Sequence, residues 1–408
     1  MLLNAIKINE KYQKKNKLKK YTKPELFHNI ERFMLSKKLI GYGGMAINIL
    51  LPTEKQFYEY IDVPDYDFFS PNAKRDAVEL SKILSNTYDE IEVKSAINEG
   101  TFKIFVNFIP IVDITQIDYE LYKNLLSNSV YNKGIYYAPY NYLRMSMYLE
   151  LSRPLGDISR WEKVYKRLQL LNQSHPLILR HIILDNEVEI KDKEIFNDFF
   201  KKIMNKLKDN VFLGNYAMYY YQHLFPKKYQ IEQQSKVFIL TEEPMKIISK
   251  IKKIIHSKNL TINTKKYENK FITFDEVYLE NIPCIYLIKT DSCQSYNVVD
   301  GYNIASIDTM LSVYYAMSFF NNIEGISKSQ LLSYCYLLHT IENKGESNQN
   351  DGVLRRFNMP CIGTQLTFED IKQEKNKKYK IYKKTGKYSD LFFRFDPKRE
   401  KTKKLKKN

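Results

Sequence analysis

A chain of 408 residues is long enough for two or three domains, and a hydrophobic share of 44% supports real cores. The formal charge of +17 favours a polyanionic partner, either nucleic acid or an anionic membrane. No run approaches a membrane span, and a start carrying Lys7, Glu10 and Lys11 is not a secretory signal. The histidines are scattered with no H-x-x-x-H pair, which argues against a zinc hydrolase. Cys284, Cys293, Cys335 and Cys361 have no zinc spacing and read as buried or free thiols in a reducing compartment.

In chain order, residues 10–24 are rich in lysine and read as a solvated basic arm or the polar face of a first helix. Glu25 to Lys38 predicts a helix with Leu26, Phe27, Ile30, Phe33 and Met34 on one side. Leu39 and Ile40 then end a buried segment. The cluster Gly41, Gly43 and Gly44 is a turn whose backbone can approach a ligand closely. A short helix from Met45 stops at Pro52, so the turn offers free N–H groups and the positive end of a dipole to a phosphate.

Asp65 and Asp67 follow at i, i+2 in an apolar run, which on a strand puts both carboxylates on one face. Paired carboxylates repel unless a cation sits between them, and hard cations such as Mg²⁺ take oxygen ligands together with substrate phosphates. The bland alternative is a polar turn before an edge strand. Ser70-Pro71-Asn72 opens a helix over 73–85, with Ser70 or Asn72 as cap. Ile91 to Ala96 alternates like a strand. Thr101 to Ile111 predicts a second strand that runs on through Ile114, with Pro110 marking a bulge or an edge. Asp113 is an acid inside that apolar strand and needs a partner or a metal. Asp62 and Asp118 read as loop or strand-end acids. Ala138 to Ser152 and Ile158 to Leu171 predict two helices. The second carries Arg160, Lys163 and Arg167, either as a solvated face or as a phosphate clamp over the glycine turn.

The second half echoes the first. Val211 to Met218 resembles the glycine stretch, and Lys236 to Thr241 can be laid on Asp65 to Ser70. Lys236 and Phe238 then stand where the acids stood, and Ile282 to Leu287 places Tyr286 at the Asp113 position. A second domain of similar fold without the acids is expected, against an alternative of two unrelated α/β domains. From Lys372 onward lysines interleave with Tyr379, Tyr382, Tyr388, Phe392, Phe393 and Phe395. That pattern suits single-stranded nucleic acid, or else a short terminal hairpin, and the last ten residues are expected to be disordered. The fold class is α+β, a small mixed sheet followed by a degenerate copy. The boundaries are 1–38 for the basic and helical start, 39–185 for the catalytic domain with its following helices, 186–370 for the copy and 371–408 for the tail.

These residues carry a resemblance. Gly43-Gly44, Asp65-x-Asp67 and Asp113 are similar to the polymerase-β-like nucleotidyltransferase superfamily. Gly43-Gly44-x-Ala46-x-Asn48, Pro64 to Pro71, Gly100 to Lys103, Asn107 to Pro110, Asp113-Ile114-Thr115, Tyr142 to Met145 and Ser159 to Val164 more closely resemble the viral poly(A) polymerase catalytic subunits, of poxvirus and above all mimivirus type. The resemblance implies a polymerase-β-like domain followed by a degenerate one, and template-independent addition of AMP from ATP to the 3′ end of viral mRNA. It implies two Mg²⁺ or Mn²⁺ ions held by Asp65, Asp67 and Asp113. With it go Gly43 and Gly44 on the β/γ-phosphates, and Lys163, then Arg160, on the leaving pyrophosphate. A single-stranded RNA 3′ end, ATP and a second copy of the chain are the expected partners, with no membrane. The host cytoplasm, in a viral factory, is the expected location, with the virion as a second one. Alternatives are a CCA-adding, uridylyl-adding or oligonucleotide-synthesising transferase, or an inactive RNA-binding scaffold. A lysine bridged to Asp113 with no room for ions would remove the basis of the enzyme reading.

Overall fold

The computed structural model describes residues 24–58, 65–184, 193–229, 236–256, 261–290, 292–342 and 356–399, with isolated positions between 2 and 13. Most of the basic arm, Asp62, Pro64 and the last nine residues lie outside them. Two compact units emerge, 1–143 with 368–408, and 144–367.

In the first unit, α1 (Pro24–Lys37) buries Leu26, Ile30, Phe33 and Met34, the stripe its spacing predicts. It leads into β1 (Ile40–Tyr42) and α2 (Gly43–Leu50), then β2 (Tyr66–Ser70) and α3 (Ala73–Leu84). The strands β3 (Ile91–Ser95), β4 (Thr101–Val106) and β5 (Ile109–Gln116) follow, then α4 (Tyr119–Ser127), β6 (Val130–Asn132), β7 (Ile135–Tyr137) and α5 (Tyr140–Leu151), which belongs to the second unit from Arg144 on. Asp118 caps α4, its Oδ1 accepting from the Leu121 N–H at 2.8 Å. The long strand expected from Thr101 onward is a hairpin instead. Asn107 and Phe108 both take left-handed φ values, 48° and 68°, and reverse the chain. Pro110 sits at a register shift opposite Phe105, so the bulge expectation holds.

The C-terminal segment belongs to this unit. α12 (Phe368–Thr385) precedes β16 (Arg394–Phe395), which pairs antiparallel with β3. Phe393 meets Phe102 edge-on at 5.7 Å, and Phe392 contacts Tyr379 and Tyr382. These rings contact one another and the sheet within the unit, while Tyr379 stays 41% exposed. The sheet order is β16-β3-β4-β5-β2-β1-β7-β6.

The second unit opens its own sheet after α6 (Trp161–Ser174) and α7 (Lys193–Lys206). The order along the chain is β8 (Val211–Leu213), α8 (Gly214–Tyr221), β9 (Val237–Thr241) and α9 (Pro244–His256). Then come β10 (Ile262–Glu268), β11 (Thr273–Leu279), β12 (Ile282–Lys289), β13 (Gln294–Val299) and β14 (Tyr302–Ala305). α10 (Ile307–Met317), α11 (Lys328–Ile341) and β15 (Cys361–Ile362) complete it. Its sheet order, β10-β11-β12-β9-β8-β14-β13-β15, repeats the first strand for strand apart from the added edge strands. The β11–β12 hairpin turns on Glu280 and Asn281 with positive φ and shifts register at Tyr278 opposite Pro283, as Asn107-Phe108 and Pro110 do in the first unit.

The copy has lost its acids as expected. Leu213 pairs with Phe238 and Phe238 with Tyr286, at the places of Tyr42, Asp67 and Asp113. Phe238 and Tyr286 are wholly buried, and the Lys236 ammonium donates to Gln330 Oε1 at 2.9 Å. Cys293 and Cys361 are joined in a disulfide, because β15 pairs with β13 and sets Cys361 opposite Ser295. This corrects the reading of every cysteine as a thiol; Cys284 and Cys335 are the buried free ones.

Candidate active site

Backbone register assembles the site. Across neighbouring strands, Tyr42 of β1 lies opposite Asp67 of β2, Asp67 opposite Asp113 of β5, and Asp113 opposite Lys103 of β4. Residues in register on adjacent strands share a face, so these four side chains form one row on one side of the sheet. The opposite face is apolar, with Tyr66, Ile104 and Val112 buried.

Gly43, the first residue of α2, has φ +73°, a conformation natural only to glycine. A Cβ there would overlap Asp67 Oδ2 and stand 3.2 Å from its Cγ, so the start of the helix lies directly against that carboxylate. No side chain caps the helix, and Gly43 and Gly44 occupy its first turn. Asn48, in the same helix, accepts from the N–H groups of Phe57 and Tyr58 at 2.7 and 2.9 Å, fixing the chain beyond it. After β2 the turn is held by Gln116. Its Oε1 accepts from the Ala73 N–H at 2.8 Å and its Nε2 donates to the Pro71 carbonyl at 2.6 Å. Of the expected caps, Ser70 Oγ accepts from the Asn72 N–H at 2.8 Å and donates to Asp76, while Asn72 stands at the N-cap without a side-chain bond.

The electrostatics report crowding of negative charge. Burial, then the charges of Asp67, Asp113 and Asp65, push the Tyr42 phenol above its ordinary value. Its hydroxyl shares a hydrogen bond with Thr115 Oγ1 at 2.9 Å. The Asp65 carboxyl is pushed up by desolvation and then by Asp113, with Lys103 opposing. The Lys103 ammonium reaches Asp113 Oδ2 at 2.5 Å. The other oxygen, Asp113 Oδ1, is buried and has no hydrogen-bond partner. Lysine therefore occupies one oxygen of Asp113 and leaves the second to be satisfied by something else.

Among the described residues, no group of three or more His, Cys, Asp or Glu side chains converges closely enough to hold a metal ion. Register brings Asp67 and Asp113 together, whereas Asp65, before the first residue of β2, joins them through charge. Arg160 and Lys163 lie in the second unit, at and just after the start of α6. Arg160 pairs with Glu150 at 2.9 Å, and Lys163 has its pKa lowered by burial, then by Arg167 and Arg160. Sequence reasoning passed over Tyr42, Thr115 and Lys103 as site residues. The missing signal was the hairpin at Asn107-Phe108, without which Lys103 cannot be set opposite Asp113.

Residues 28–157 match the model of a protein family described as poly(A) polymerase catalytic subunit. That segment holds β1 to β7 and the acids, so the family match falls on the candidate site itself. A "Putative poly(A) polymerase catalytic subunit" of African swine fever virus (strain Badajoz 1971 Vero-adapted) is 27% identical over 156 residues, covering 36% of this chain and 32% of that protein. A protein of the same description from Acanthamoeba polyphaga mimivirus is 28% identical over 162 residues, covering 38% and 27%. The matched stretch thus spans about a third or less of these relatives. The Megavirus polyadenylate synthase crystal structure superposes with a TM-score of 0.82 at 21% identity, covering 98% of this chain and 84% of that one. The two chains share a fold.

Proposed function

We propose that the chain is a template-independent poly(A) polymerase that adds AMP from ATP to the 3′ end of viral mRNA. One observation carries the reading. Two carboxylates stand side by side in register on parallel strands, pressed against a glycine helix start, within the segment that matches the family.

The residues fit a hard cation. Asp67 and Asp113 offer oxygen donors, Asp113 Oδ1 is a buried acceptor without a partner, and repulsion between the carboxylates is relieved by positive charge. Asp65, Asp67 and Asp113 are the residues that would hold two Mg²⁺ or Mn²⁺ ions. Bound there, such ions neutralise triphosphate charge and lower the pKa of the attacking hydroxyl. The protein's own part is positioning and charge. Gly43 and Gly44 present backbone N–H groups to the β/γ-phosphates of ATP. The RNA 3′-hydroxyl oxygen bonds to the α-phosphorus as the bond to the β-phosphate oxygen breaks, the hydroxyl proton passes to the Asp113 carboxylate, and pyrophosphate leaves. Lys163, with Arg160 second, is proposed to neutralise it. Burial, then Arg167 and Arg160, lower the Lys163 pKa against the opposing charges of Glu150 and Asp157, and a phosphate anion there would favour its charged form.

The Lys103 bridge favours the competing reading, an RNA-binding chain without transferase activity. Incubating a short RNA primer with each nucleotide in Mg²⁺ or Mn²⁺ separates the two. We expect ATP alone to extend the primer. Asp67→Asn and Asp113→Asn should each cost at least about 10³-fold while thermal unfolding stays within a few degrees of wild type. A folded Asp67→Asn protein that extends primer at the wild-type rate overturns the site, and equal use of all four nucleotides overturns the adenylate assignment. A homodimer and a cytoplasmic viral factory complete the proposal, the former checked by light-scattering mass.

A further inference from the structure

The row of side chains that contains the acids does not end at Lys103. Lys103 pairs in register with Lys94 of β3, and Lys94 with Arg394 of β16. One transverse line therefore reads Arg394, Lys94, Lys103, Asp113, Asp67. It runs from the sheet edge to the candidate site, with neighbouring strands about 4.8 Å apart. Its first member comes from the C-terminal segment, nearly three hundred residues away in sequence. Side-chain exposure falls steadily along it, from 66% at Arg394 to 41% at Lys94, 34% at Lys103 and 15% at Asp113. The cations are thus graded from open solvent to the sheltered acids. Phe105 lies on the same face beside the row, with the Lys94 ammonium 5.1 Å from its ring centre. Glu92 restrains the outer two cations, pairing with both Lys94 and Arg394.

We infer that this row is a track for the phosphate backbone of the single-stranded RNA, with the C-terminal segment supplying its entrance and the 3′ end arriving at Asp113 and Asp67. The inference rests on the transferase reading for what lies at the inner end. Cations at regular spacing beside an aromatic ring suit a single strand, which offers one negative charge per nucleotide and bases that stack. ATP carries too few phosphates to need a row that reaches the sheet edge, so RNA is the occupant.

The test uses the full chain and a fluorescent single-stranded RNA, with anisotropy titrations across a salt series in chelator, so that binding is read without catalysis. Replacing Lys94 and Arg394 by Gln removes two outer cations from an exposed face. The slope of log K against log salt should become shallower by about 1.4, because each phosphate contact on a single strand contributes about 0.7. Glu92→Gln, which frees both cations, should move affinity the other way. An unaltered slope in the double variant overturns the track. So does a rise in the KM for ATP with no change in RNA affinity, which would give the cations to the nucleotide. If the double variant loses slope while wild type transfers no AMP, the track stands and the transferase reading falls.

Discussion

At the candidate site Gly43 lies against Asp67, and Lys103 against Asp113. Gly43 and Gly134 both have positive φ, but only Gly43 would drive a Cβ into a carboxylate; a Cβ at Gly134 meets nothing. Gly134→Ala should cost about 1–2 kcal/mol, the backbone penalty alone. Gly43→Ala pays that and also displaces Asp67, so primer extension should fall far more than stability does. Equal losses of activity in the two variants would show that closeness to Asp67 is irrelevant. Lys103 competes with any cation for Asp113. Lys103→Met should therefore tighten Mn²⁺ binding measured by calorimetry, whatever the variant's activity; weaker binding would mean that the lysine organises the donors. The i, i+2 spacing of Asp65 and Asp67 and the apolar run around Asp113 were enough to nominate the acids. Lys103 stands in a motif of the resemblance, Gly100 to Lys103, but its role is not readable there, because its partner is ten residues away across a turn.

That turn shows what an element hides. Val106-Asn107-Phe108-Ile109 is apolar but for one residue, so periodicity alone continues the strand through it. The reversal depends on two non-glycine residues in left-handed backbone, a cost that cross-strand pairing on both sides repays. The same device recurs at Glu280-Asn281, and the element order of the copy was legible because helix and strand periods survive the absence of the three acids. The C-terminal segment was harder to place. Its lysines read as solvent-facing, whereas its structural role lies in the rings between them. Phe393 bears on Phe102, with the Lys74 ammonium 4.7 Å from its ring centre. Phe393→Ala should cost about 1–2 kcal/mol in urea unfolding, somewhat less than full burial of a phenylalanine would give. It should also loosen β16 from β3, read as faster amide exchange at residues 91–95. An unchanged exchange rate would mean that backbone pairing alone holds the strand.

At the scale of whole units, the second is built around buried charge. Arg356 donates to Asp308 through Nε at 3.2 Å and also through Nη2, and through Nη1 to Glu342 Oε1 at 3.1 Å. Tyr148 donates to Glu342 Oε2 at 2.8 Å, and His339 stands 2.9 Å from the same oxygen. Burial opposes the Glu342 charge, yet the hydrogen bond with His339, the Arg356 guanidinium, the His339 charge and the Tyr148 hydroxyl hold its pKa down at about 2. A lowered carboxyl pKa gives stability that is complete above the ordinary value of about 4.3 and is lost as pH falls from there through about 2. Unfolding followed against pH should show that limb. Arg356→Met strands two buried carboxylates and should cost about 3–5 kcal/mol near neutral pH, with the acid limb moving to higher pH. A variant as stable as wild type would show the network to be dispensable.

Phe238 and Tyr286 are wholly buried where the first unit carries Asp67 and Asp113, so the second unit cannot regain acids by simple reversal. One substitution suffices to extinguish a metal site, but restoring aspartate at 236, 238 and 286 would lodge charge in a space now occupied by rings and their supports. The residues packed around these rings would have to be rebuilt before the space could hold charge.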